Sequence, residues 1–183
     1  MDHRAGRMPR VQTSPMQGTR GRVNSALGSR ESSPMRTVLD ESKTWFLHRL
    51  SYEEELRITL IEGKRGNESQ DIQIGDVVIR DAYPIEISPT SKLVLIRFSQ
   101  YVAWQVVNES FTIFDDYEQR DDTGFLQILE KSKYLDYVNG SHGWYVEVLG
   151  KGKHYRIWTE NDVIDVITCV EPIIEPIRHL TSI

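Results

Sequence analysis

At 183 residues the chain has room for one domain and a tail. Its 39% hydrophobic and 27% charged residues are those of a globular protein, and apolar runs of a few residues fall far short of the ~20 that span a bilayer. The net charge of −5 is unevenly spread: residues 1–36 hold seven Arg against two acids, a net of +5, and the remainder 15 Lys and Arg against 25 acids, a net of −10.

That acidic body argues against nucleic acid as its main partner. The single cysteine, Cys169, excludes an internal disulfide framework and fits a reducing, cytoplasmic compartment.

Residues 1–36 carry Gly, Ser, Pro and Arg, with no Lys and no aromatic residue. Such a segment cannot bury enough apolar area to offset its ordering entropy, so a disordered basic tail is expected. Three readings stay open. Its arginines (Arg4, Arg7, Arg10, Arg20, Arg22 and Arg30) could meet phosphates. The stretch could be an organelle-targeting peptide. It could also be a non-functional extension, with Met35 as the start. It has no apolar core of a secretory signal.

A single globular domain is expected over 37–171. Leu39 to Leu50 reads as a short helix, capped by Asp40 or Ser42, with Trp45, Phe46 and Leu50 on one face. Tyr52 to Ile61 has period two, with Leu56, Ile58 and Leu60 pointing one way, and reads as a strand. Gly63–Ser69 is a break. Asp71 to Asp81 reads as two strand pieces around Gly75-Asp76. Pro84 and Pro89 bracket a short strand near an edge.

Lys92 to Glu109 is the densest apolar segment and holds neither Gly nor Pro. Val94, Ile96 and Phe98 share one face, Leu93, Leu95 and Arg97 the other, as in a strand covered on both sides. Its length exceeds one strand, so the chain should bend or turn at Ser99-Gln100.

Glu109 to Asp122 is an acid-rich loop. Phe125 to Leu129 is ambiguous between strand and helix. Ser132 should cap a helix over Lys133 to Val138, ended by Asn139-Gly140. Trp144 to Leu149 reads as a strand, turned by Gly150-Lys151-Gly152 into a returning strand over His154 to Trp158. Asn161 could cap a helix over Val163 to Thr168, but the β-branched residues there favour a strand, paired with 154–158. Residues 172–183 should form an extended C-terminal tail on the surface.

The expected fold is therefore α+β and β-rich: an antiparallel sheet folded as a sandwich or open barrel, with one or two short helices.

Two constellations could carry function. The loop 109–122 gathers Glu109, Asp115, Asp116, Glu118, Asp121 and Asp122. These are hard oxygen ligands, but no EF-hand register fits them; a solvated loop is the plain alternative. Trp144, Tyr145, Tyr155 and Trp158, interleaved with Lys151, Lys153 and Arg156, could form a stacking or interface surface, or simply pack in the core.

His142 and His154 lack a close sequence partner such as H-x-H. Cys169 has no positive neighbour to activate it. No phosphate-binding glycine motif or nucleophile elbow is present.

The leading expectation is a small soluble, non-enzymatic binding protein that engages a basic protein partner through an acidic surface. The binding residues would be Asp115, Asp116, Glu118, Asp121, Asp122, Trp144, Tyr155 and Trp158, with no cofactor and no resident metal. The alternative is a metal-assisted hydrolase using the loop carboxylates with His142 or His154. Nucleic acid could be met only through the Arg-rich tail.

Overall fold

The computed structural model describes residues 36–121 and 124–177. The chain divides into two units, 1–32 and 33–183, and every described residue belongs to the second. The basic tail, apart from Arg36, lies outside the described residues, as does Asp122.

The strands fall in chain order as β1 (Trp45–Tyr52), β2 (Leu56–Glu62), β3 (Lys64–Arg65), β4 (Gln70–Ile74), β5 (Val77–Ala82), β6 (Ile85–Glu86), β7 (Leu93–Phe98), β8 (Tyr101–Asn108), β9 (Gln119–Arg120) and β10 (Leu126–Lys131). Two helices follow, α1 (Lys133–His142) and α2 (Trp144–Leu149), and then β11 (Lys153–Trp158), β12 (Asp162–Thr168) and β13 (Ile173–Ile177). All pairing is antiparallel. One sheet has the order β1-β2-β7-β13, and the other β8-β12-β11-β10-β9.

The two sheets share one core. Leu56, Ile58 and Leu60 of β2 and Val94, Ile96 and Phe98 of β7 are fully buried. They cluster with Tyr155, Ile157, Ile164 and Val166 of the second sheet. Period-two alternation along each strand creates this inner face. The fold is the expected β-rich α+β arrangement of packed antiparallel sheets.

A single 3₁₀ turn over Val38–Glu41 caps the core at one edge. Thr37 and Asp40 form a reciprocal capping box there. Leu39 is fully buried, and its carbonyl accepts from the Trp45 indole at 3.0 Å.

Ser99-Gln100 is a bend rather than a hairpin, because β7 and β8 belong to different sheets. The apolar segment 92–109 thus crosses from one layer to the other.

Three local readings are corrected. The helix expected over 39–50 is a 3₁₀ turn followed by strand β1, whose residues pair in register with β2. Cross-strand pairing there outweighs a weak helical spacing.

The strand expected over 144–149 is helix α2. β11 is already flanked by β10 and β12, so no ladder position beside it is left for a strand. Helix formation satisfies the segment's backbone locally instead.

Within the expected C-terminal tail, Ile173–Ile177 is an edge strand paired with β7. Pro176 is tolerated at an edge, where the proline's missing donor need not enter a ladder. Residues 178–183 lie outside the described residues.

Candidate functional site

The outer face of the five-stranded sheet collects most of the chemistry-bearing side chains. His154 and Arg156 of β11 alternate with the inward Tyr155 and Ile157, and Asp165 of β12 stands directly opposite Arg156. Gln105 of β8 lies on the other side of Asp165. Helix α1 and the loop 109–121 contribute partners to the same face through Ser132 and Glu118.

Asp165 organises this group. It accepts from His154 Nε2 at 2.9 Å, Arg156 Nε at 2.7 Å, Arg156 Nη2 at 3.4 Å and Gln105 Nε2 at 2.8 Å. Burial alone would push its pKa up. The hydrogen bonds and charges of His154 and Arg156 outweigh burial and hold it down at about 2. Arg156 also donates to Glu118 at 2.7 Å, so one guanidinium spans two carboxylates.

A carboxylate only accepts, so His154 Nε2 carries its proton. In the neutral ring, Nδ1 then accepts from the Ser132 hydroxyl, 2.7 Å away. Ser132 Oγ in turn accepts from the Leu135 backbone N–H at 3.0 Å as the cap of α1.

A Ser–His–Asp chain of this kind invites comparison with nucleophilic hydrolases. Here Ser132 and His154 are both fully buried. The serine oxygen sits under the first turn of α1, where no substrate carbonyl can reach it. The geometry is that of a satisfied interior polar network, which fixes α1 against the sheet.

The other expected site residues separate. Asp115 pairs with Lys133 at 2.6 Å and accepts from the Tyr117 N–H; the Lys133 contact lowers its pKa. Glu118 belongs to the Arg156 network, and Asp121 accepts from the Ile128 N–H at 2.6 Å. Asp116 is exposed. Among the described residues no hydrogen bond or ion pair holds the side-chain carboxylate of Asp116 or Glu109.

Tyr155 lies in the inner core, edge-on to Phe98, and burial pushes its phenol up to about 12. Trp158 is on the outer face, stacked on Phe114 at 5.0 Å. Trp144 is 73% exposed on α2. The sheet therefore separates Tyr155 from Trp158, and Trp144 stands on a helix rather than on a neighbouring strand.

His142 ends α1, edge-on to Tyr137. Among the described residues no group of three or more His, Cys, Asp or Glu side chains is gathered to hold a metal ion.

Sequence reading missed the apolar prong of the acidic loop. Phe111, Ile113 and Phe114 are 81, 85 and 65% exposed, in an interval where composition drew attention only to the acids. A short 3₁₀ turn over Glu109–Phe111, capped by Asn108, starts this loop. The Glu109 N–H donates to the Asn161 carbonyl, tying it to the β11–β12 turn. Arg120 covers the Phe114 ring at 4.7 Å.

A cleft of about 280 Å³ opens on the outer face of the other sheet, beneath Arg49, Arg57, Glu53 and Glu54. Its arginines and glutamates mix both signs of charge over a Leu95 and Ile177 floor, and it is no larger than the smallest ligand sites.

No family model, curated protein or solved structure matches the chain. No helix among the described residues is long and apolar enough to cross a membrane.

Proposed function

We propose that this protein is a non-enzymatic binding module of the cytoplasm that engages a basic protein partner through the loop 109–118. One observation supports the reading above the others: Phe111, Ile113 and Phe114 are largely exposed in the same loop as Glu109 and Asp116, whose carboxylates no hydrogen bond or ion pair holds among the described residues.

Exposed aromatic and aliphatic anchors are what interface cores are built from. The flanking acids would steer a cationic surface toward them. The loop is not free to collapse over its own apolar groups. Asp115 is held by Lys133, Glu118 by Arg156, and Phe114 by Trp158. A pre-organised loop loses less entropy on binding.

Affinity capture with the full chain tests this at low and high salt. The expected result is a basic protein retained at low salt and released at high salt. The double variant Phe111→Ser/Ile113→Ser should abolish retention, and Asp116→Lys should weaken it. Retention of no protein at low salt, or retention indifferent to both variants, would sink the reading.

A further inference from the structure

A second surface has its own chemistry. Residues 63–92 leave the sheet from β2 and return to it at β7, which pair with each other. Between them, β4 and β5 form a hairpin that packs extensively only on itself. Its Gly75-Asp76 loop has Gly75 at φ +58°, the first central position that a type II′ turn reserves for glycine.

Ile72 stands opposite Ile79, and Ile74 opposite Val77. Side chains two apart share a face, so these four make one aliphatic square. They are 38, 47, 62 and 63% exposed respectively. The reverse face carries Gln73 opposite Val78.

An isolated two-stranded hairpin is marginally stable in water. One whose apolar face is β-branched and uncovered gains most from a cover. We propose that this hairpin is a homodimerisation arm, with the Ile72, Ile74, Val77, Ile79 face packing on the same face of a second copy.

Three arguments select a second copy. The face contains no charge, so nothing in it would recruit a partner of opposite sign, whereas another such face matches it fully. Stacking across a two-fold axis sets aliphatic groups on aliphatic groups, with no like charges opposed, as an isologous interface requires.

The second argument is distance. Residues 37–183 carry a net −10, which opposes close approach of two bodies. A five-residue strand reaches about 17 Å. That is about two Debye lengths at physiological salt, enough to screen much of the repulsion when contact is made through the arms.

The third is area. Four half-exposed aliphatic chains amount to a few hundred Å², roughly the size of a functional patch. That is less than the roughly 800 Å² per partner of a standard interface, which sets the expected affinity of the dimer in the micromolar range.

Sedimentation equilibrium of the full chain at tens of micromolar tests the proposal. The expected result is a dimer that Ile74→Glu weakens roughly 100-fold or more. Gln73→Glu places the same charge on the reverse face of the same strand and should leave the dimer intact. Both residues are exposed in the single chain, so circular dichroism should show both variants folded. A wild-type monomer would overturn the proposal, as would a dimer indifferent to Ile74→Glu or equally weakened by Gln73→Glu. None of these outcomes depends on the acidic loop.

Discussion

Asp165 places a charge in the middle of a β-branched strand, where an unpaired carboxylate would be expensive. Four donor contacts make it tolerable, and against the upward push of burial those from His154 and Arg156 lower its pKa to about 2 from an ordinary 3.8. As pH falls, the unfolded chain therefore takes up the proton first. The stabilisation is complete above about pH 4 and is lost as pH falls through about 2. By linkage it amounts to roughly 2 kcal/mol. Asp165→Asn leaves Arg156 buried against a single carboxylate, and about 3–5 kcal/mol should be lost at neutral pH. Urea unfolding from pH 7 to 2.5 is the check: the gap between the two proteins should narrow below about pH 4. Equal stability at pH 7 would mean that Asp165 does not organise the network. A lone Asp in VIDVIT signals in the sequence that some partner exists. Its identity could not be read there, because His154 and Arg156 become neighbours only through the β11–β12 register.

Element by element, the central strands were legible, whereas β1 read as a helix, β13 as a tail and β10 as ambiguous. Val94, Ile96, Phe98 and Val163 to Thr168 alternate or branch in ways that favour a pleated surface. Ser132 was legible as a cap because capping is local chemistry within one turn. Its second role, the hydrogen bond to His154 Nδ1, is a tertiary fact. Ser132→Ala should remove the cap, at about 1 kcal/mol. It should also strand His154 Nδ1 in the interior, at roughly 1–3 kcal/mol more. Urea titration measures the sum, and a loss confined to the cap value would separate the two roles. Trp144–Leu149 went the other way. Its residues favour a strand, but it folds as α2 with the Tyr145 hydroxyl donating to Asn139 at 2.6 Å. Ladder positions beside β11 are a property of the assembled sheet.

For the molecule as a whole, the sandwich couples its two sheets through a few large side chains. Phe98 is fully buried on one sheet and meets Tyr155 of the other at 5.8 Å. Phe98→Ala should cost about 3–5 kcal/mol, by lost transfer energy and the cavity left behind. Because the layers share one core, unfolding should remain a single transition, reported alike by tryptophan fluorescence and far-UV circular dichroism. Two separate transitions would show that the sheets unfold independently. The two proposed interaction surfaces, loop 109–118 and hairpin 70–82, lie outside that shared core. Substitutions in the loop should leave the thermal midpoint of the free chain nearly unchanged, whereas Ile74→Glu should lower the midpoint at dimer concentrations by mass action.

By itself the sequence determined the fold class, which residues share a face along β2 and β7, a break in the long apolar segment at Ser99-Gln100 and the cap of α1. Each follows from periodicity, branching or one-turn chemistry, which act between residues close in the chain. The tertiary structure alone decided which layer each strand joins, that three of the loop's acids are bound internally, and that Tyr155 faces the core while Trp158 faces outward. It alone decided that Phe111, Ile113 and the 72–79 square remain uncovered. Those are matters of register and of what packs above a side chain, and residues distant in the chain settle them.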